Sequence, residues 1–301
     1  MAATMNQRFM LKMLSLFSVV RGYNILILII AQYLTSAFIL GHDLPLREVL
    51  LDDNLFFLIL SSATVVASGY IINNFYDSEK DLINRPKKTM LDRVVSQRTK
   101  LSVYFILNFA AIFFASYVSF RAVVFFSIYI FAIWFYSHRL KKILFLGNLV
   151  ASILVITPFF AIFVYYKNFE TVIFIHATFL YLMIVMRELV KDLENMKGDL
   201  IQNYRTIPLV YGEKMSKFFL SALSILAVIP ILLLVTRFDI GYMDYYFYVS
   251  FVLLIVFLLF LYFSKAKWQY LMLHNILKLI IVAGVFGILL IDFEEVLKRV
   301  F

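Results

Sequence analysis

Long apolar runs separated by short polar stretches recur along the whole chain. A segment needs about 20 mainly apolar residues to cross a bilayer. Nine can be placed, near 20–40, 55–76, 101–118, 121–137, 145–165, 171–190, 217–236, 245–264 and 271–291. Within them apolar positions are continuous rather than alternating, so the pattern predicts helices and not the strands of a closed barrel. The run from Ile25 to Leu40 follows Arg8 and Lys12 and lacks a small-x-small cleavage site, so it reads as a retained first span. Pro158 in the fifth span and Pro230 in the seventh predict kinks, and Gly284 with Gly287 predict close helix packing in the last. The expected fold class is all-α, a polytopic membrane protein.

Composition agrees. The chain is 63% hydrophobic, 18% aromatic and 16% charged, whereas soluble domains hold about 45–50% apolar and about 25% charged residues. There is no cysteine, which excludes disulfides, thiolate nucleophiles and zinc–thiolate sites. The net charge of +9 does not call for a nucleic-acid partner, because the basic residues gather on one membrane face. With the N-terminus inside, the inner segments hold Arg8, Lys12, Arg21, the seven basic residues from Lys80 to Lys100, Arg139, Lys141, Lys142, the six from Arg187 to Lys217, Lys265 and Lys267. The outer segments hold only Arg47, Arg121, Lys167, Arg237, Lys298 and Arg299. This bias predicts a cytoplasmic N-terminus and an outer C-terminus. The two long inner links, Asp77 to Lys100 and Arg187 to Ser216, follow spans two and six, a spacing that hints at internal duplication.

Both links begin with acids. Asn73, Asp77 and Asp81 are spaced i, i+4, i+8 at the end of span two. At roughly 100° per residue they drift about 80° around a helix, so three oxygen-bearing side chains share one face. By the same geometry Glu188, Asp192, Asn195 and Asp199 fall within about 60° of each other if the sixth helix continues to Asp199. Either segment alone could be a solvated helix end. Two on one membrane face, both starting inside apolar spans, point instead to a site, since acids at that depth are costly and stacked like charges need a neutralising cation. Hard oxygen donors without His or Cys favour Mg²⁺, which is typically held by a few carboxylates and substrate phosphates. Arg85, Lys87, Lys88 and Arg93 follow the first motif, Arg139, Lys141 and Lys142 follow span four, and Arg205 follows the second. Each is a candidate for phosphate contact and also ordinary inner-loop charge.

At these residues the chain resembles the UbiA superfamily of intramembrane prenyltransferases. Asn73 to Asp81 is similar to that family's N-D-x-x-D-x-x-x-D, with Asn74 in place of the first Asp. Asn84-Arg85-Pro86-Lys87 resembles its N-x-P-x-R-P loop without the usual following Pro and Gly. Asn195 and Asp199 match its D-x-x-x-D, with Asn195 where the first Asp normally stands and Asp192 available to supply the missing charge. Arg21-Gly22-Tyr23-Asn24, Tyr136-Ser137-His138-Arg139-Leu140-Lys141 with Gly147-Asn148, and Lys191-Asp192-Leu193-Glu194 through Arg205-Thr206-Ile207-Pro208 resemble the branch that joins a geranylgeranyl group to a prenylated glycerol phosphate.

The resemblance implies one prenyltransferase domain over residues 1–301, a helical bundle around a central cavity open to the cytoplasm and laterally to lipid. It implies Mg²⁺ held by Asn73, Asp77 and Asp81 on one side and Asp192 and Asp199 on the other. It makes Asp77, Asp81, Asp192 and Asp199 catalytic and gives Lys141, Arg205, Arg85 and Lys88 to the substrate diphosphate. Asn24, Tyr136, Glu188, Asn195 and Lys278 go to the acceptor or cavity. The partners implied are a prenyl diphosphate donor, a lipophilic acceptor and the bilayer, with no obligate protein partner. His274, Asn275 and Lys278 on the first turns of the last span either snorkel and bond at the helix end or bring Lys278 into the cavity to hold an acceptor phosphate. His138 and His176 read as structural.

Three other activities fit the sequence less well. An ion-coupled transporter predicts acids near mid-span rather than at helix ends. A CDP-alcohol phosphotransferase needs a contiguous D-G-x-x-A-R motif that does not occur here. A soluble chain-elongating prenyl synthase does not carry nine apolar spans. An aromatic acceptor, such as a quinone or chlorin precursor, stands beside the glycerol phosphate.

Overall fold

The computed structural model describes residues 5–291. Lys298 and Arg299, counted above among the outer basic residues, lie outside the described residues, as does the side chain of Arg8. Helix α1 is Met5–Val19, α2 is Gly22–Thr35 continued by a π-helical turn Ser36–Leu40, and α3 is Leu46–Leu50. Helix α4 is Asp53–Tyr76, followed by the short α5 (Ser78–Asn84) and α6 (Pro86–Asp92). Then come α7 (Gln97–Val118), α8 (Phe120–His138), α9 (Leu146–Tyr166), α10 (Thr171–Ile201), α11 (Ile207–Arg237), α12 (Met243–Phe263) and α13 (Lys267–Gly287). Among the described residues nine helices are long and apolar enough to span a membrane, one for each expected span, and there is no strand. Phe109, Phe120 and Phe263 stay more than three-quarters exposed, as side chains facing lipid would.

Two helices differ in length from the sequence reading, and both lengthen toward the acidic end. α10 runs eleven residues past the expected 190 and so carries Asp192, Asn195 and Asp199 on continuous helix. α11 starts at Ile207 rather than near 217, with Pro208 in its first turn and a break at Gly212 (φ 81°, ψ 171°). No side chain sits comfortably at that φ, so glycine is needed for the chain to turn there. The first long link is not a loop but α5 and α6.

Small residues let the central helices approach closely. α4 packs on α7 and α8 through Val65, Ala111, Ala115 and Phe126, all fully buried. α10 packs between α11, α12 and α13 through Met183, Met186, Leu189, Leu220, Phe247, Phe257 and Leu277. At Gly284 a Cβ would fall 2.6 Å from the Tyr246 hydroxyl, so close packing of α12 on α13 accounts for this glycine. The helix continues through Pro158. Proline lacks the N–H that would satisfy the Leu154 carbonyl, and the Tyr129 hydroxyl donates to that oxygen instead, at 2.7 Å.

A buried polar network ties α4 to α6 and α7. Lys100, 1% exposed, donates to Asn74 Oδ1 at 2.9 Å; Asn74 donates to Asp92 at 3.2 Å; and Ser18 donates to the same carboxylate at 2.7 Å. Lys100→Met would leave Asn74 Oδ1 buried without a donor, at a cost on the order of 1–3 kcal/mol. Thermal unfolding in detergent should show a lowered midpoint, and an unchanged one would mean that water replaces the lysine.

Candidate active site

Four helix ends meet at one end of the bundle: the C-termini of α4, α8 and α10 and the N-terminus of α13. The hydrogen bonds from Asp77 N to Asn73 O (2.9 Å) and from Asp81 N to Asp77 O (2.8 Å) carry the helical repeat across the bend at Asp77. Asn73, Asp77 and Asp81 therefore keep one face, and all three line a polar cavity of about 60 Å³. From the other side Glu188, Lys191, Asp192 and Asn195 line the same cavity, with Arg21, Lys80, Arg85, Tyr136, Lys141, Asn148, Tyr204 and Arg205 around it. The two acidic motifs, more than a hundred residues apart in sequence, thus face one space. Asp199 is fully buried beside it.

Each acid in this cluster except Asp81 is met by a cation or an amide. Lys141 Nζ donates to Asp77 Oδ1 at 2.6 Å and to Asn73 Oδ1 at 3.3 Å, and the Tyr204 hydroxyl donates to the same Asp77 oxygen at 2.7 Å. Lys80 Nζ lies 2.5 Å from Asp199 Oδ1. Lys191 and Arg187 pair with Glu188 at 2.6 and 3.1 Å, and Asn148 donates to Asp192 at 2.8 Å. Burial pushes the Asp77 carboxyl up, but Lys141, Lys80 and the hydrogen bonds from Lys141 and Tyr204 outweigh it and hold it below the ordinary range. Asp81 lacks such partners, so burial and the neighbouring Asp77 raise it. Burial alone would lower the Lys80 ammonium, yet Asp77 and Asp199 raise it. Lys80 also lies over the Tyr204 ring, 4.3 Å from its centroid.

The junction of α5 and α6 after the first motif is clasped to the second. Asn84 Oδ1 accepts from Gly198 N at 3.2 Å, Arg85 pairs with Glu194 at 3.3 Å, and Lys267 donates to Asn84 O at 2.6 Å. His274 lies 3.4 Å from the same Glu194.

Lys88 stands apart from this cluster, paired with Asp92 at 3.2 Å. Asn74 also points away, into the Lys100 network, which gives a physical reason why an amide can stand at that position. Asn24 and Lys278 line not the polar cavity but a wider one of about 310 Å³ beneath it, which shares Arg21, Asn73, Tyr136, Glu188 and Lys191 with it. α13 begins four residues before the expected span, so Lys278 sits about a turn deeper than the sequence reading had it. The wider cavity in turn shares Ala31, Phe159, Leu180, Ile281 and Val285 with an apolar cavity of about 230 Å³ lined by Phe163, Phe174, Phe179, Met183 and Phe247. Polar head, mixed middle and apolar tail follow one another into the bundle. Lys80 and Tyr204 belong to the cluster but were not singled out from sequence.

The donor set suits a hard cation. Asn195 Oδ1 and Asp199 Oδ2 are buried without a hydrogen-bond donor. Among the described residues no three acidic or histidine side chains stand close enough together to hold a metal ion, and Lys80 and Lys141 are paired with Asp199 and Asp77.

Nine spans and paired acidic helix ends over a graded cavity define an integral, multi-pass membrane enzyme. The chain belongs to the UbiA prenyltransferase family, whose pattern it matches over residues 21–278, and it is a prenyl-transferring enzyme. It is 29% identical over 239 residues to the digeranylgeranylglyceryl phosphate synthase of Methanobrevibacter smithii, covering 75% of this chain and 80% of that one. It is 32% identical over 219 residues to the synthase of the same name from Thermococcus sibiricus, covering 71% and 75%. A UbiA homologue from Archaeoglobus fulgidus, solved bound to GPP and Mg²⁺, shares the fold with a TM-score of 0.66 at 12% identity, covering 91% of this chain and 99% of that one.

A Cβ at Gly198 would lie 2.3 Å from Asn84 Nδ2. Gly198→Ala should therefore push the clasp apart and lower the unfolding midpoint, at a cost on the order of 1–3 kcal/mol. Adding Asn84→Ala should recover part of the loss, and additive losses would show that the clasp is not the cause.

Proposed function

We propose that the protein transfers a polyprenyl group, geranylgeranyl in the reading favoured here, from its diphosphate to a prenylated glycerol phosphate. Residues 1–301 act as one domain, with the N-terminus and the active site on the cytoplasmic side. The observation that carries the reading is the shared polar cavity, in which both acidic motifs face a common volume that leads into apolar space. The relatives' name supports the acceptor, and the basic bias of the links at this end supports the orientation.

Asn73, Asp77 and Asp81 on one side and Asp192 and Asp199 on the other would hold Mg²⁺ with the donor diphosphate. When bound, the metal withdraws charge from the leaving diphosphate. Lys141, Arg85 and Arg205 line the same volume and bind the remaining phosphate oxygens. The allylic C–O bond breaks with its electron pair on the diphosphate. The acceptor hydroxyl oxygen then bonds to the allylic carbon, forming an ether, and its proton passes to a carboxylate of the cavity. Tyr70, Tyr129 and Tyr136 line the wider cavity where the allylic carbon would lie. Their faces stabilise developing positive charge, and the enclosing helices exclude water.

Purified protein supplied with labelled geranylgeranyl diphosphate and a prenylated glycerol phosphate should release diphosphate only with Mg²⁺. Asp77→Ala and Asp192→Ala should each lower kcat by roughly a hundredfold or more. No release with any prenyl diphosphate, tried with both glycerol phosphate and aromatic acceptors, would refute the enzyme reading, and turnover only with aromatic acceptors would refute the acceptor.

A further inference from the structure

Lys278 lies in an apolar stretch of α13, between Leu277 and Leu279, about 16 Å along the helix axis from Lys267, which marks the active-site end. It is in no ion pair among the described residues, and its ammonium rests 4.8 Å from the centroid of the Tyr23 ring at the seam between α13 and α2. A cation at that depth is costly and is usually compensated. Lys80, Lys141, Arg187 and Lys191 are each matched by a carboxylate, as described above. The wider cavity as a whole is not. Arg21, Arg187, Lys191 and Lys278 line it against the single carboxylate of Glu188, which Arg187 and Lys191 already satisfy. Arg21 is likewise in no ion pair among the described residues and packs its guanidinium 5.0 Å from the Tyr70 ring centroid.

We propose that Lys278 receives the phosphate of an anionic lipid acceptor, a second anion subsite separate from the one for the donor diphosphate. This rests on the prenyltransferase reading and deepens it, because it names the residue that would select a phosphorylated acceptor over a neutral phenol or quinone. The separation follows from the lining. Lys278 borders the wider cavity and not the polar one, whereas Asp77, Asp81 and Asp192 border the polar one and not the wider. The acceptor would enter with its chains in the apolar part of the cavity and its phosphate held at Lys278. Its hydroxyl would then face the mouth where the donor's allylic carbon lies. Tyr23 holds the ammonium in place until the phosphate arrives.

The test measures binding to the full-length protein in phosphatidylcholine nanodiscs, where bulk headgroups are constant. The probes are geranylgeranylglyceryl phosphate, the same lipid without its phosphate, 4-hydroxybenzoate, and a non-reactive thio analogue of geranylgeranyl diphosphate. The wild type should prefer the phosphorylated lipid to its alcohol by roughly tenfold or more. Lys278→Met and Lys278→Gln should each lose that preference, Lys278→Arg should keep it, and all three should bind the donor analogue as the wild type does. An unchanged preference in both neutral variants would overturn the proposal and leave Lys278 as a residue that snorkels to bulk headgroups. So would a wild type that does not discriminate, or that selects 4-hydroxybenzoate over the phosphate lipid. A wrong prenyltransferase reading would show differently, as phosphate-selective binding with no diphosphate release by the wild type.

Discussion

A carboxylate set at the end of an apolar span must find counter-charge or take up a proton, and the architecture of the active-site end follows from that demand. Asp77 is answered by Lys141 and Tyr204, Asp199 by Lys80, Glu188 by Lys191 and Arg187, and Asp192 by Asn148. Glu188 is satisfied within its own helix, but the partners of Asp77, Asp192 and Asp199 come from other segments, so satisfying those acids also fixes how α5, α9, α10 and the links after α8 and α10 meet. Buried ion pairs give little net stability against apolar replacements. Their concentration here is therefore better explained by what the charges do than by what they hold together. Lys80 and Lys141 occupy the middle of the cluster as resident cations, and a metal-bearing diphosphate would bring new counter-charge to the same acids.

The cavity beneath this cluster grades from charged to apolar because the same helices that end in charge begin in lipid-facing sequence. α2, α10 and α13 each contribute a polar residue near the mouth and aliphatic or aromatic residues below it: Asn24 above Ile27 and Ala31, Glu188 above Ile184 and Leu180, and Lys278 above Ile281 and Val285. An amphiphile with an anionic head fits such a gradient in one orientation only, with its head toward the charged end, where the basic residues lie.

Much of this was legible in the sequence, because bilayer thickness forces a length and an apolar continuity that hydropathy reports directly. All nine spans are read that way, and the i, i+4, i+8 spacing from Asn73 to Asp81 placed three oxygen side chains on one face. The errors are local and physical. α11 begins at Ile207 because the short apolar turn 207–211 joins the span across the break at Gly212 and the charged stretch 213–217, which hydropathy reads as a link but which is helical. Lys88 looked like its neighbours in a basic loop, and only the fold turns it toward Asp92. Lys80 and Tyr204 were hidden for opposite reasons: the lysine was explained already by the inner-face bias, and a single tyrosine in a short link carries no pattern. Asn195 and Asn74 looked alike as amides at acidic positions, yet one lines the site and the other serves a structural lysine.

The central claim is that both acidic motifs serve one metal–diphosphate site. Calorimetric affinity for the thio analogue of geranylgeranyl diphosphate, measured with and without Mg²⁺ in the wild type, Asp77→Asn, Asp192→Asn and the double variant, tests it most directly. A single shared site predicts Mg²⁺-dependent binding that each single substitution largely removes, with the double variant little worse than either. Additive losses from the two substitutions, or a full-affinity complex in either single variant, would contradict it.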